Sequence, residues 1–426
     1  MTPLAIGTAR ADPLLAGKRL LILGGGLWQL EYVRRARELG LETWVTDWSA
    51  EAPARGEADH FEPIDLKDRD ATLALARQAR IDAVLTAADI GVPTAAYVCE
   101  QTGLPGYSRE LAEFATNKFL MRQRAVAAGI ACPWYARVRS ADEAAVVVHE
   151  RTLPAIVKPV DNCSSRGVRW VDRAADLPVA VAEAIEASHR GEALVEQFLV
   201  GTEGSIEALV QQGRARILGF CDKTKSPLPD RFDLELRYPG DYRDDIRRQI
   251  ENLVQRIVDG FSIVDAIVHI EFIVAREPEA VQLIEFAIRG CGSKVTTHLM
   301  PALTGVDVVG AVIRQAFGVR TSIEPSTRTH GALHFLMFPR GRVRAVRGVE
   351  QARQLTGVID AVVERQAGDA IGEVRDGRSR PGHVLVQARD RGSVQQLLTE
   401  VRQLIRIDFE HQRDVAPIDF NEPRVA

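Results

Sequence analysis

Two glutamates in apolar surroundings, Glu271 and Glu285, are where the chemistry of this chain gathers. They lie in the runs Ile267–Val274 and Ala280–Phe286, separated by the polar stretch Arg276-Glu277-Pro278-Glu279, a pattern that predicts a β-hairpin. Side chains of a strand alternate between its faces, so His269 shares a face with Glu271, and Glu285 shares one with Ala287 and Arg289. A carboxylate among apolar neighbours is costly unless something satisfies it. Two that converge from paired strands repel each other, and a divalent cation between them relieves the repulsion. Hard oxygen donors point to Mg²⁺ (or Mn²⁺) rather than zinc. Pairing with arginines at a sheet edge would satisfy the same carboxylates.

Cations stand upstream of this hairpin. The chain favours arginine over lysine, so its few lysines draw the eye. Lys158 closes the apolar run Leu153-Pro154-Ala155-Ile156-Val157, an unusual place for a lysine unless its ammonium reaches a ligand or a carboxylate. The polar loop 161–168 follows at once. Its backbone N–H groups and the side chains of Ser164, Ser165 and Arg166 could wrap an anion; a plain hairpin turn would read the same. Lys118 opens a helix predicted to run from Thr116 to Gly129.

Composition limits the possibilities. A chain of 426 residues exceeds one ordinary core and should form about three domains. A net charge of −4 with scattered basic residues carries no polyanion-binding signature, so no nucleic-acid partner is expected. No apolar run approaches the roughly 20 residues of a membrane span, so no membrane partner is expected either. The first twenty residues, with Asp12 and no long apolar core, do not form a signal peptide. The five cysteines are widely spaced and odd in number, which suits a reducing cytoplasm.

The elements that must carry these residues change character along the chain. Arg19–Leu23 is a buried-strand run ending in Gly24-Gly25-Gly26, and a helix presenting Leu27, Leu30 and Val33 follows. The strands Thr43–Thr46 and Ile81–Thr86 and the helix Val92–Thr102 complete an alternation that implies a parallel, doubly wound sheet. The glycine turn, with Asp47 about twenty residues on, invites a dinucleotide reading, yet Gln29 stands where the third glycine of that fingerprint belongs. A tight strand-to-helix turn explains the glycines equally. From 193 to 286 the chain reads as antiparallel strands with one helix, Asp244–Asp259. Beyond 325 lies a smaller β-rich unit with strands at Gly331–Phe338, Ala361–Gln366 and Gly382–Ala388, a helix at Ser393–Ile405, and a final tail containing Pro417 and Pro423.

Seven short motifs in order, Asn117-Lys118, Val157-Lys158-Pro159, Ser164-Ser165-Arg166-Gly167-Val168, Glu196-Gln197-Phe198-Leu199, Gly201-Thr202-Glu203, His269-Ile270-Glu271 and Glu285-Phe286-Ala287-Ile288-Arg289, resemble the ATP-grasp superfamily of carboxylate–amine ligases. The resemblance implies an α/β and α+β multidomain fold: a Rossmann-like pre-ATP-grasp domain (1–113), an ATP-grasp subdomain with the phosphate-covering loop (114–200), a metal and substrate subdomain (201–325) and a C-terminal α+β unit (326–426). It further implies that Lys118 and Lys158 hold the ATP phosphates under the 161–168 loop, including Gly167 and Val168. Glu196, with the backbone of Phe198 and Leu199, would read the adenine edge, and Glu203 would take the ribose hydroxyls. Glu271 and Glu285 would ligate Mg²⁺ (or Mn²⁺), and Arg289 would hold the substrate carboxylate and then the acyl phosphate. Lys223 falls where dipeptide ligases place substrate-facing residues, Glu235 would face the incoming amine, and His269 could touch substrate or phosphate. The family commonly has Asn where this chain has Ala287; a small residue there resembles the L-amino-acid ligase branch. The activity so implied is ATP-dependent joining of a carboxylate, of an amino acid, to an amine, of a second amino acid. These small molecules would be its only partners beyond a second copy in a homodimer. The alternatives are a carboxylating or purine-pathway ligase and, from the glycine turn, an NAD(P)-dependent oxidoreductase.

Overall fold

A computed structural model describes residues 11–418. Half of the first twenty residues, read as forming no signal peptide, and the end of the expected tail, including Pro423, lie outside the described residues. The N-terminal sheet is parallel, in the order β3-β2-β1-β4, from β1 (Arg19–Leu23), β2 (Glu42–Thr46), β3 (His60–Glu62) and β4 (Ala83–Thr86). Leu20 to Leu23 are fully buried on both faces, which is why this strand reads as a continuous apolar run. Helix Leu30–Glu38 buries Leu30 and Val33, whereas Leu27 precedes the helix and is exposed.

A second, antiparallel sheet, ordered β5-β8-β6-β7, is built from β5 (Tyr135–Val138), β6 (Ala155–Pro159), β7 (Arg169–Val171) and β8 (Ala193–Gln197). The third contains β9 (Gly201–Gln211), β10 (Arg214–Lys225), β11 (Asp233–Tyr238), β12 (Ala266–Arg276) and β13 (Glu279–Ala287). It extends through β11 into three strands of the C-terminal region, β14 (His330–Leu336), β18 (Gly382–Ala388) and β16 (Val358–Val363). Eight strands therefore form one sheet, and the C-terminal region forms one wall of whatever that sheet encloses. Strands β15 (Gly341–Arg347), β17 (Ala370–Ile371) and β19 (Arg406–Phe409) make a small sheet beside it. Its central strand β15 and its outer strands β17 and β19 all lie where no strand was expected.

The parallel domain is fixed against the large sheet by a shared core and by ions. Asp307 caps helix Val308–Ala316 by accepting from the Gly310 N–H at 2.9 Å, and it also receives Arg35 of the first helix at 2.7 Å. Arg314 of the capped helix reaches Asp12 at 2.7 Å. The turn after β4 is joined to the segment beyond the hairpin β12–β13 by Asp89, which binds Arg289 at 2.7 Å. No single helix among the described residues is long and apolar enough to cross a membrane.

Candidate active site

The hairpin places its carboxylates as strand alternation requires. Glu271 and Glu285 are directly opposite each other in the β12–β13 register, with a bulge immediately after Glu271. Each is met by a lysine: Lys223 Nζ lies 2.9 Å from Glu271, and Lys118 Nζ lies 3.1 Å from Glu285. Lys223 sits buried in β10 between Glu271 and Asp233, the latter at 3.4 Å. Burial opposes its charge, but Asp233 and Glu271 outweigh it and raise its pKa well above the ordinary value. Glu271 shifts the other way: burial opposes ionisation, and Lys223 and His269 pull its pKa well below the carboxylate range.

His269 is a donor rather than a ligand. Its Nδ1 lies 2.5 Å from Glu207 and its Nε2 3.5 Å from Glu271. Burial disfavours the charged ring, yet Glu207 prevails and brings the pKa up to about 9. Glu207 is fully buried and also accepts from the Cys291 N–H at 3.0 Å and Thr296 Oγ1 at 2.9 Å. Ala287 pairs with His269 across the strands and adds no oxygen donor.

Helix Lys118–Ala127 explains the position of Lys118. Asn117 caps it, accepting from the N–H groups of Phe119 and Leu120 at 3.0 and 3.2 Å. The Lys118 N–H bonds Val160 O at 2.7 Å, and its ammonium donates to Asn162 O at 2.5 Å, so the helix start is tied to the anion loop. One turn later Arg122, fully buried, donates to Glu196 at 2.7 Å and to Ile284 O. The other Glu196 oxygen lies 2.5 Å from Lys158 Nζ. Burial lowers the Lys158 pKa, Glu196 partly offsets this, and Arg122 adds to the fall.

Both oxygens of Glu196 are thus engaged by cations, so its carboxylate acts on Lys158 rather than being open to an adenine edge. The Phe198 N–H is also committed, to Pro154 O at 3.3 Å, which leaves the Leu199 N–H for such an edge. Glu203 is held by Lys225 at 3.0 Å and Arg231 at 2.6 Å. In the 161–168 loop, Ser164, Ser165 and Gly167 have φ of 60°, 57° and 68°. A Cβ at Gly167 would stand 2.8 Å from Ala187 Cβ, so this glycine is there for the turn.

Two spaces meet at these residues. A slot of about 120 Å³ runs between Ile156, Val168, Phe198 and Leu199 on one side and Ile273 and Ile284 on the other. A cavity of about 820 Å³ opens beyond it toward Trp28, Tyr32, Asp89 and Arg289. Lys118, Ser164, Ser165, Arg166, Glu271 and Glu285 line both, so the anion loop, a lysine and both glutamates stand at the junction. A slot with apolar side chains on both walls, a cationic junction with paired oxygen donors, and a polar chamber beyond it fit a nucleotide base, its phosphates with a divalent cation, and a second molecule.

Arg289 lines the chamber, but it is not open-handed. Asp89, just after β4 in the parallel domain, takes its guanidinium in two bonds of 2.9 and 2.7 Å. Burial opposes both charges; Arg289 nonetheless keeps the Asp89 pKa below normal, and Asp89 raises that of Arg289. Glu235 faces away from the chamber: it is buried and bound by His334 at 2.7 Å and by Arg237, so it is not available to an incoming amine. Asp47 likewise lacks the freedom a ribose ligand needs. Its oxygens accept from the Gly25 and Ser49 N–H groups at 2.8 and 2.9 Å, holding the glycine turn in shape.

Asp89, Arg122, Glu207 and Asp233 are not among the candidate residues read from sequence, yet each holds one that is: Asp89 holds Arg289, Glu207 holds His269, Asp233 holds Lys223, and Arg122 holds Glu196. Among these four, only Arg122 carried a readable signal, one turn after Lys118 on the same helix face.

Comparison with known proteins agrees with this geometry. Residues 33–106 match the ATP-grasp N-terminal domain model, 151–298 the ATP-grasp domain, and 334–410 L-amino acid ligase C-terminal domain 2. An uncharacterized protein of Sinorhizobium fredii is 26% identical over 344 residues, 79% of this chain and 70% of that one. The formate-dependent phosphoribosylglycinamide formyltransferase of a Synechococcus species is 32% identical over 188 residues; the alignment spans 43% of this chain and 47%, about half, of that enzyme. Among solved structures, the L-amino acid ligase of Bacillus licheniformis superimposes with a TM-score of 0.80 at 21% identity, covering 93% of this chain and 99% of that one. The phosphoribosylglycinamide synthetase of Anaerococcus prevotii gives 0.73 at 19% identity, over 92% and 100% of the two chains. With three consecutive segments matching ATP-grasp and L-amino acid ligase models in the order of the fold, the chain is a member of the ATP-grasp superfamily.

Proposed function

We propose that this ATP-grasp enzyme activates a carboxylate, that of an amino acid, as an acyl phosphate and joins it to an amine, that of a second amino acid, releasing ADP and phosphate. The observation that carries the reading is the meeting of the slot and the chamber at Lys118, Glu271 and Glu285, with Arg289 deeper in the chamber. Transfer of a phosphoryl group to a carboxylate brings anions together, so cations must cancel repulsion and align the reactants.

In this reading Lys118 and Lys158 hold the phosphates, and the 161–168 loop closes over them to exclude water from the acyl phosphate. Glu196 keeps Lys158 charged, and Glu203 with Lys225 and Arg231 borders the sugar. Glu271 and Glu285 would hold Mg²⁺ or Mn²⁺, which when bound neutralises phosphate charge. Protonated His269 and Lys223 keep Glu271 ionised and oriented for that task. Arg289 holds the carboxylate that attacks and then the acyl phosphate, with Asp89 fixing the plane of its guanidinium. The amine attacks the acyl carbon, the C–O bond to phosphate breaks, and the amine loses a proton as the amide forms.

The match to an L-amino acid ligase C-terminal domain favours amino acids as both substrates. The test is phosphate release from ATP over pairs of amino acids. Release that requires a pair supports the reading; none with any pair, with folded protein, contradicts it. A second reading, a purine-pathway or carboxylating ligase, draws on the identity to a phosphoribosylglycinamide formyltransferase. It predicts phosphate release dependent on a ribotide amine with formate or bicarbonate, and none with amino acids. A nicotinamide oxidoreductase would need Asp47 free, and its two oxygens are committed to backbone.

A further inference from the structure

Arg380 lines the chamber and differs in its surroundings from the four cations described above. Lys118, Lys158, Lys223 and Arg289 each pair with a carboxylate, whereas Arg380 pairs with none among the described residues. Its guanidinium lies over the Phe335 ring, 3.3 Å from the centroid. Nε donates to Gly377 O at 2.8 Å and Nη1 to Asp233 O at 2.9 Å. Both acceptors are neutral carbonyls, and the remaining N–H groups of the fork have no partner there. Desolvating a charge without a counter-ion is costly, and burial pulls the Arg380 pKa down to about 10. Such a cation is set up to gain an anion.

A second polar group in the same chamber is also unsatisfied. His383 is 3% exposed, and its Nε2 has no hydrogen-bond partner. The nearest carboxylate, Asp360, is 3.8 Å away and is already engaged by Lys294. Arg380 and His383 both line the 820 Å³ space. The Asp233 carbonyl that anchors Arg380 belongs to the residue whose carboxylate pairs with Lys223 and Lys225, the lysines beside Glu271 and Glu203. The Arg380 loop is also bonded to the phosphate-covering loop, Gly377 N–H to Ser164 O at 3.2 Å. The unpaired fork therefore stands close to the reaction centre, on the C-terminal wall, whereas Arg289 with its Asp89 belongs to another.

We propose that Arg380 is the receptor for a carboxylate on the amine substrate, with His383 Nε2 as a further polar contact, so that the acceptor is an amino acid and not a simple amine. The inference rests on the ligase reading above and deepens it. A planar fork matches a carboxylate in two bonds, and docking the anion there would present the amine toward the acyl phosphate.

The test uses the full-length protein and first finds a donor: each of the twenty amino acids is incubated with ATP and hydroxylamine, and hydroxamate is measured. Absence of hydroxamate with every amino acid would sink the ligase reading itself, and this proposal with it. With a donor in hand, amino acids, their α-carboxamides and phosphoethanolamine are compared as acceptors. The wild type should prefer an amino acid to its carboxamide by about 100-fold in kcat/KM, the size expected for a desolvated charge pair. In Arg380→Gln the ratio of amino-acid to hydroxylamine kcat/KM should fall by a similar factor, mainly through the KM of the amino acid. Arg380→Lys, which keeps the charge and loses the fork, should restore part of it and serves if the glutamine variant does not fold. Equal use of amino acid and carboxamide by the wild type, unchanged ratios in both variants, or preference for phosphoethanolamine would each overturn the proposal.

Discussion

Replacing Glu196 by Gln separates two roles for this residue by their pH dependence. In the structure Glu196 lies between Lys158 at 2.5 Å and Arg122 at 2.7 Å, all three buried. Burial already lowers the Lys158 pKa, and Arg122 acts in the same direction; Glu196 is the group that opposes them. A unit charge at this range is worth about 4 kcal/mol at the effective dielectric suited to protein sites. Its loss weakens proton binding by Lys158 about a thousandfold, at 1.4 kcal/mol per decade. The sign follows directly. Only the protonated amine attracts phosphate, so as pH rises through the lysine pKa the KM for ATP rises, and in Glu196→Gln this begins at lower pH than in the wild type. The assay is the KM for ATP from pH 6 to 9 for both proteins, with thermal melting to confirm that the variant is folded. A variant that lost only an adenine contact would show a raised KM with the wild-type pH profile, together with weaker discrimination between ATP and GTP. That outcome, or an unchanged KM, would refute the supporting role argued for Glu196.

Other perturbations act on other links of the same arrangement. Glu285→Ala and Arg289→Ala should abolish turnover while leaving the melting curve near that of the wild type; near-normal activity in either would contradict the site. Asp89→Asn keeps the shape but discharges the partner of Arg289, so kcat/KM for the carboxylate donor should fall about 30-fold or more, as for a broken desolvated pair, read by titrating the donor at saturating ATP. Removing divalent cations with a chelator should stop phosphate release, with recovery on adding Mg²⁺ or Mn²⁺ and little with Ca²⁺, which prefers more ligands at longer distances. Asp307→Ala removes a helix cap worth about 1 kcal/mol and the tie to Arg35. It should lower the melting temperature with KM for ATP unchanged.

Local periodicity made the hairpin legible. The two-residue repeat of a strand was enough to put Glu271 with His269 and Glu285 with Ala287, and the register then set the glutamates opposite each other. The lysines were legible because an ammonium at the end of an apolar run needs a reason. What could not be read were the counter-charges. Asp89 lies two hundred positions from Arg289, in a different sheet, and in sequence it is an ordinary turn carboxylate. Glu207 sits in an apolar strand like the glutamates of the hairpin, yet its partners come from β12 and from the Cys291–Thr296 segment. Glu235 shows the converse: its strand was recognisable, but which face met the chamber depended on β14 pairing alongside and bringing His334 to it. The C-terminal region blurred for a similar reason. Gly341–Arg347 does alternate, but arginines fill its outer positions and the stretch reads as solvated until β17 and β19 flank it.

The central claim is that the carboxylate of one substrate takes the γ-phosphoryl group of ATP before the amine attacks. Labelling that carboxylate with oxygen-18 tests it most directly, by mass analysis of the phosphate released in a complete reaction with an amino-acid acceptor. The account predicts one labelled oxygen in each phosphate, carried over when the acyl C–O bond breaks. Unlabelled phosphate, formed at the same rate as product, would contradict it.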